Sequence, residues 1–224
     1  MRLEQKPKYE MKLLSNGKAI KFRPFIVEEE RNLLMALESE SFEDVLGTVR
    51  QIVGNCTGLD PYKIPYFDLE NIFINLRSKS VGELVDMIGK CDCAEDAKTQ
   101  FQINLDSVVM SGKLSDDKVN IVGTDWNVKL RYPTAEDIFQ SKKSDGVDFI
   151  ASMIETIWNS EEVFNEETLD GKKEFLLSLT AEQYKPIDDF YRTMPSVQLT
   201  TDWYCKHCGK KHALQMTGLD DFFL

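Results

Sequence analysis

The sequence has few of the residues and runs on which several classes of protein depend. Only 2 histidines occur among 224 residues, and no stretch approaches the roughly 20 apolar residues of a membrane helix. The N-terminus lacks the apolar region of a signal peptide. Lys and Arg number 27 against 38 Asp and Glu, a net charge of −11, whereas nucleic-acid binding needs a basic face. We therefore expect a protein of a reducing cytoplasm, with no membrane span and no nucleic-acid partner.

Catalytic patterns are also missing from the sequence. It has no Gly-rich loop that could hold a phosphate and no nucleophile elbow. Both histidines, His207 and His212, lie beside the C-terminal cysteine pair, and the carboxylates are spread along the chain. We therefore expect that the protein is not an enzyme and takes no small-molecule substrate.

What the sequence does contain is a pair of closely spaced cysteines that occurs twice. Cys91 and Cys93 form the first pair, Cys205 and Cys208 form the second, and a β-like run follows each pair. Four thiols are the ligand set of a structural zinc ion with tetrahedral geometry. Such a shell leaves no open position for water, so the predicted role of the Zn²⁺ is structural. The second pair, followed by Gly209, has the commoner spacing.

Two other interpretations of the cysteines stay open at this level. The pair Cys205 and Cys208 resembles an oxidoreductase motif, but those motifs open a helix, where the dipole lowers a thiol pKa, and here a strand-like run follows. Alternatively, the four thiols are buried without a metal. His207 and His212 could replace a ligand, although we expect both to face solvent. The fifth cysteine, Cys56, is predicted to be a small core residue.

The hydrophobic pattern predicts an α+β fold with an N-terminal β-hairpin, two helical blocks and a small β module held by a zinc-ribbon-like site of four cysteines. Asn16-Gly17 between two alternating runs indicates the hairpin. Ser41 with Asp44 and Thr180 with Gln183 are predicted capping boxes, and the runs 118–122 and 126–132 predict a second hairpin. Asp68 is predicted to cap a helix, and Pro186 to break or restart one. The apolar residues from Phe149 to Trp158 predict one long amphipathic helix.

The absence of a low-complexity linker favours one compact domain over residues 1–224. Within it, residues 1–80 would form the hairpin and its helices, and residues 134–195 the second helical block. Residues 81–133 together with 196–217 would form the β module with the zinc site. In this arrangement the metal joins the C-terminal part of the chain to its middle.

Several segments resemble the baseplate hub assembly family of T-even-type contractile-tailed bacteriophages. The resemblance is most specific at Arg23-Pro24-Phe25 and at 76–83, and it includes both cysteine pairs and the closing residues 218–223. It implies a non-enzymatic role in building the central hub of the tail baseplate, through contacts with other hub subunits and with the tape-measure protein as a further candidate. The implied location is the host cytoplasm during assembly, with the virion tail as a second candidate.

Two groups of residues are candidate partner contacts. The first group contains Arg23, Arg77 and Lys79, although Arg77 and Lys79 could instead complement a helix dipole. The second is the apolar chain end Phe222, Phe223 and Leu224, which either docks on the protein's own core or inserts into a partner.

A different class of function also stays open, a zinc-ribbon adaptor that binds nucleic acid or a polymerase. Three lysines give the ribbon local basicity, but three aspartates flank it. The lysines are Lys206, Lys210 and Lys211, and the aspartates are Asp202, Asp220 and Asp221.

Overall fold

The computed structural model describes residues 7–39, 41–141, 145–165 and 167–223. Helices and small antiparallel sheets alternate along the chain, as the predicted α+β class requires. The residues group into two compact units. Unit 1 consists of Met1–Pro61, Phe67–Ser111 and Ser196–Leu224, and unit 2 of Tyr62–Tyr66 and Gly112–Pro195. The single-domain organisation stays a prediction.

Unit 1 begins with the predicted β-hairpin. Strands β1 (Tyr9–Lys12) and β2 (Ala19–Phe22) are antiparallel, and Gly17 in the turn has φ = 69°. Asp68 is fully buried and its carboxylate accepts the backbone N–H of Leu14 at 2.7 Å. The prediction that Asp68 caps a helix is therefore wrong, because its charge is used to hold the hairpin turn.

Three helices follow this hairpin. Helix α1 covers Val27–Glu38, α2 covers Phe42–Thr57 and α3 covers Tyr66–Ser80. The predicted cap at Ser41 is confirmed, since its side chain accepts the N–H of Asp44 at 3.3 Å. Their buried side chains form the core of this part, and Cys56 belongs to it, as expected. The core includes Leu33, Leu46, Val49, Ile52, Val53, Cys56, Phe67, Leu69, Ile72, Phe73 and Leu76.

The rest of unit 1 contains two hairpins that are remote in sequence. In the first, β3 (Leu84–Lys90) pairs with β4 (Lys98–Asn104). In the second, β10 (Ser196–Tyr204) pairs with β11 (Lys211–Thr217), and β5 (Val109–Ser111) joins the other edge of β10. Ile103, Leu199 and Met216 are buried in one cluster, so the two hairpins pack against each other. Helix α8 (Gly218–Phe223) follows β11.

Unit 2 is built on a four-stranded meander. Its strands are β6 (Lys118–Asn120), β7 (Asn127–Leu130), β8 (Ile154–Trp158) and β9 (Val163–Phe164), in that order. The hairpin of β6 and β7 is as predicted, but β7 pairs with β8 rather than with the cysteine-bearing strands to which the sequence assigned residues 81–133. Four helices complete the unit, α4 (Ala135–Ser141), α5 (Gly146–Ser152), α6 (Leu169–Ser178) and α7 (Ala181–Arg192).

The long helix predicted over Phe149–Trp158 is wrong. Helix α5 ends at Ser152, and β8 begins two residues later. Ile154 and Ile157 are buried there, and Val128 of β7 lies opposite Ile157. Ile and Thr fit a pleated surface well, so pairing with β7 overrides the helical spacing of the apolar residues.

Pro186 lies inside helix α7 and does not break it, contrary to the prediction. The first turn of the helix is held by the predicted capping box, in which Thr180 and Gln183 bond each other's backbone amides at 2.9 and 3.3 Å. Beyond the proline, Ile187 and Phe190 are buried in the core of unit 2. Burial of these side chains therefore offsets the missing backbone hydrogen bond.

In the part of the chain that the structure describes, no helix is both long and apolar enough to cross a membrane.

Candidate functional site

The four cysteines lie in two tight turns at the ends of the paired hairpins. Cys91 follows β3, and its N–H donates to the carbonyl of Ala97 at 3.0 Å. Cys205 follows β10, and its N–H donates to Lys210 at 2.9 Å. Gly209 closes the second turn with φ = 73° and donates its N–H to the Cys205 carbonyl at 2.8 Å. Each turn therefore presents two thiols at one end of a β-ribbon, as the sequence predicted.

The turns bring all four sulfur atoms together. Their Sγ atoms lie within 4.8 Å of one another, with 3.8 Å between Cys91 and Cys208 and 3.7 Å between Cys93 and Cys205. A tetrahedral site with metal–sulfur bonds of about 2.3 Å has edges of about 3.8 Å. The arrangement therefore permits a metal ion at its centre, with Cys91 and Cys205 buried and Cys93 and Cys208 exposed.

The pKa values of the Cys205 and Cys93 thiols are shifted in opposite directions. The backbone amide of Cys208, followed by that of His207, lowers the pKa of Cys205 to about 6. Loss of solvation and the neighbouring thiols raise the pKa of Cys93 to about 12. The backbone amide of Cys93 favours the Cys91 thiolate, but desolvation and the sulfurs of Cys205 and Cys208 outweigh it and raise the pKa of Cys91. Four thiolates at this spacing repel each other, so they need a cation to ionise together.

Aromatic residues pack against the sulfur cluster. Trp203 is buried beside Cys91, Ala97 and Cys205, and its ring stacks on Phe101 of β4 with centroids 5.5 Å apart. A β-carbon on Gly89 would lie 2.6 Å from the Trp203 ring. Only glycine leaves room at this position for the indole to cross from one hairpin to the other.

His212 has a place that the sequence analysis missed. Its Nε2 lies 3.2 Å from the Sγ of Cys91, and its ring stacks on Trp203 at 4.2 Å. The expectation that it faces solvent is therefore wrong, whereas His207 is exposed, as expected. An imidazole N–H that donates to a cysteine sulfur stabilises the thiolate form. The register of β10 and β11, which pairs Trp203 with His212, could not be read from spacing alone.

The local charge of the ribbon is lower than its lysines indicate. Lys211 forms an ion pair with Asp202 at 2.8 Å, and the Asp221 carboxylate accepts the N–H of Thr217 at 2.6 Å. Lys206 and Lys210 are exposed. A strand, not a helix, follows Cys208, so the helix dipole on which a thiol oxidoreductase relies does not act here.

The basic residues proposed as partner contacts differ in accessibility. Arg23 is half-buried and makes a bidentate pair with Glu29 at 2.8 and 2.9 Å. Arg77 is half-buried too, and burial lowers the pKa of its guanidinium. Lys79 is exposed, and both Arg77 and Lys79 lie in the last turn of α3. A partner contact by these residues stays a prediction, for which Lys79 is the most accessible.

The chain end is anchored at the start of helix α8. Leu219 is buried, and its N–H donates to the carboxylate of the buried Glu70 at 3.0 Å. Leu224 lies outside the described residues, as do the side chains of Phe222 and Phe223. The predicted contacts of these three residues therefore stay a prediction, while the residues just before them pack on unit 1.

Comparison with known proteins identifies a family and a relative of similar length. The model of the family described as T4 bacteriophage base plate protein matches residues 6–224. The baseplate hub assembly protein gp26 of Enterobacteria phage T4 is 29% identical over 217 residues, which cover 96% of this chain and 97% of that protein. No solved structure matches the chain. The range matched by the family model spans both cysteine pairs and Leu219.

Proposed function

The chain belongs to the T4 bacteriophage base plate protein family, and from this premise we propose that it acts in assembly of the baseplate hub through contacts with other hub proteins. One observation carries the proposal, the similarity to a baseplate hub assembly protein along 96% of the chain. The name of that relative refers to the hub and not to the tape-measure protein, so the proposed partners are hub subunits. The proposed locations are the host cytoplasm during assembly and the tail baseplate.

The proposed role is non-enzymatic. In the described residues, the set of four cysteines is a group that could hold a metal ion, and a metal held by all four would have a closed coordination shell. Asp68 is an example of a buried polar group that serves the fold, since its carboxylate holds the hairpin turn. A chain of this kind acts on its partners by binding them.

The proposed cofactor is a structural Zn²⁺ held by Cys91, Cys93, Cys205 and Cys208. The sulfur spacing fits a tetrahedral shell, and four thiolates so close together would need a cation to offset their mutual repulsion. The N–H of Lys206 donates to Thr99 at 3.0 Å, and His212 contacts Cys91, so hydrogen bonds already connect the two hairpins. A metal would add the stronger connection between segments more than 110 residues apart in sequence.

Metal analysis tests the zinc proposal directly. We expect about one zinc per chain in the purified protein, and we expect Cys205→Ser to lose the metal and to melt at a much lower temperature, because zinc affinity contributes to folding free energy. Cys56→Ala is the matched control, since it removes a buried thiol outside the cluster and should keep the zinc. A metal-free wild type whose four thiols react freely while it is folded would rule out the site.

Complementation tests the role in assembly. A phage that lacks this chain should fail to build a complete hub, and supplying the chain in trans should restore infectious tails. Purification of the tagged chain from infected cells should recover hub subunits in stable proportion. Normal tail assembly without the chain would contradict the proposed function.

A nucleic-acid adaptor is the second candidate function, and the lysines of the ribbon favour it. Its signature is DNA binding that weakens steeply with salt, because each phosphate contact releases counterions. The Lys211–Asp202 pair and the net charge of −11 count against it. A gel-shift assay between low and physiological salt distinguishes the two candidates.

A further inference from the structure

Unit 2 has an open groove on its surface, separate from the cysteine site. It encloses about 370 Å³ between helix α6 and the ends of the meander. Trp126, Phe164 and Phe175 supply aromatic walls, and Glu167 and Glu174 supply carboxylates. We call these five residues, together with Gly171, the aromatic–acidic groove.

The groove is built by regular spacing on one helix. Four of its lining residues, Gly171, Glu174, Phe175 and Ser178, are spaced i, i+3, i+4 and i+7 and so share one face of α6. Trp126 precedes β7 and packs on Phe164 and Phe175 with ring centroids 5.8 and 5.7 Å away. All three rings are half-buried against the core of unit 2, which holds them in place while part of each ring lines the groove.

Gly171 allows the first carboxylate to lie over the helix. A methyl group at Gly171 would overlap the Oε1 atom of Glu167. The same carboxylate accepts the N–H of Thr168 at 3.1 Å, so it is folded back onto the first turn of α6. The groove therefore places a negative charge at its rim without a bulky residue beneath it.

The lysines of the same helix do not neutralise these carboxylates. Lys172 donates to the carbonyl of Ile154 at 2.8 Å, and Lys173 pairs with Asp148. Across the described ranges, Glu174 has no ion-pair partner, and the hydrogen bonds of Glu167 go to Thr168. Among the residues that the structure describes, the groove thus combines aromatic rings with two carboxylates that form no ion pair with a cation of the chain.

We propose that the aromatic–acidic groove binds a basic side chain, arginine or lysine, of a partner protein. A cation is attracted by the faces of aromatic rings, most strongly by tryptophan, and by carboxylates in the same site. An arginine also stacks on aromatic rings and can bond a carboxylate through two N–H groups. The inference rests on the proposed function only in naming a hub protein as the source of that side chain.

The binding step can be tested without a hub protein. The probe is the capped peptide Gly-Gly-Arg-Gly-Gly, with its citrulline analogue, which has a similar shape and no charge, as the matched peptide. In NMR spectra of the whole chain, the arginine peptide should shift the indole signal of Trp126 in a saturable manner, and the citrulline peptide should not. The indole of Trp203, which lies beside the four cysteines, is the internal control.

Substitutions in the groove should weaken the arginine peptide selectively. Glu167→Gln and Glu174→Gln should each raise its Kd about two- to fivefold, as expected for exposed ion pairs, and the double variant about tenfold. Gly171→Ala should also raise the Kd by displacing Glu167, although alanine favours the helix. Glu10→Gln on β1 removes one exposed charge in unit 1 and should leave the Kd unchanged.

The outcomes separate the groove from the assembly role. Equal shifts with both peptides, an unchanged Trp126 signal, or an equal loss in Glu10→Gln would overturn the groove proposal. If the arginine peptide binds as expected but tails assemble normally without the chain, the groove stands and the proposed function fails. If the peptide does not bind and assembly requires the chain, the function stands and the groove proposal fails.

Discussion

At the scale of single residues, Arg23, which the sequence indicated as a partner contact, forms an ion pair within the chain. Arg23 pairs with Glu29, which is buried near the start of α1. Glu29 also accepts the N–H of Ile26 at 2.8 Å. One carboxylate therefore joins the end of the hairpin segment to the first turn of the helix, where negative charge is favourable.

This pair predicts a pH-dependent contribution to stability. Burial would raise the pKa of Glu29, but the bonds from Arg23 and Ile26 outweigh it and hold the pKa below its usual value. The stabilisation is therefore present above the ordinary glutamate pKa of about 4.3 and is lost as the pH falls through the lower folded value. Glu29→Gln should cost about 1–3 kcal/mol at pH 7.

Thermal melts of Glu29→Gln and wild type across pH 7 to 3 check this prediction. The difference between them should shrink below about pH 4. Glu28→Gln, at the exposed neighbouring position, should differ from wild type by only a few tenths of a kcal/mol. A gap that stays constant over the whole range would show that the ion pair is not the cause.

At the scale of elements, helix α7 continues through Pro186. Proline in a helix interior is about 3 kcal/mol less favourable than alanine, so the helix is held by its cap and by the packing of Ile187 and Phe190. We expect Pro186→Ala to stabilise unit 2 by about 1–3 kcal/mol, because alanine restores the missing N–H.

Calorimetry of Pro186→Ala measures this gain as a higher melting temperature. Pro7→Ala is the control, since Pro7 is exposed and precedes β1. An unchanged or lower melting temperature would mean that the ring of Pro186 contributes packing that outweighs the lost hydrogen bond.

At the scale of the whole molecule, changes at the chain end distinguish a role in folding from a role in binding. Leu219 is buried and bonded to Glu70, so Leu219→Ala should destabilise the protein by about 2–5 kcal/mol. Deletion of Phe222 to Leu224 leaves that anchor in place. The truncated protein should therefore keep its melting temperature, while hub assembly is impaired if the apolar end binds a partner.

Melting curves and complementation together decide the role of the three residues. A truncated protein that melts much lower would show that the end docks on its own chain. One that melts normally and still supports infectious tails would show that these residues serve neither purpose.

The sequence by itself determined the local features of this protein. The Asn16-Gly17 turn and the caps at Ser41 and Thr180 depend on neighbours a few residues apart, and each was predicted correctly. The class of the fold and the family followed in the same way, because periodicity and short motifs are local properties. The sequence also predicted that the two cysteine pairs lie close together, as their sulfur atoms do, while the zinc itself stays a prediction.

Only the tertiary structure decided the features that depend on distant partners. Asp68 is not the predicted helix cap, because its carboxylate accepts the N–H of Leu14 in the hairpin turn, 54 residues away. The segment Ile154–Trp158 is a strand because it pairs with the edge of β7. His212 lies beside Cys91 because of the register between β10 and β11. The aromatic–acidic groove likewise joins segments from Trp126 to Ser178. Local spacing carries no information about such contacts, since long-range burial and pairing energies exceed local preferences.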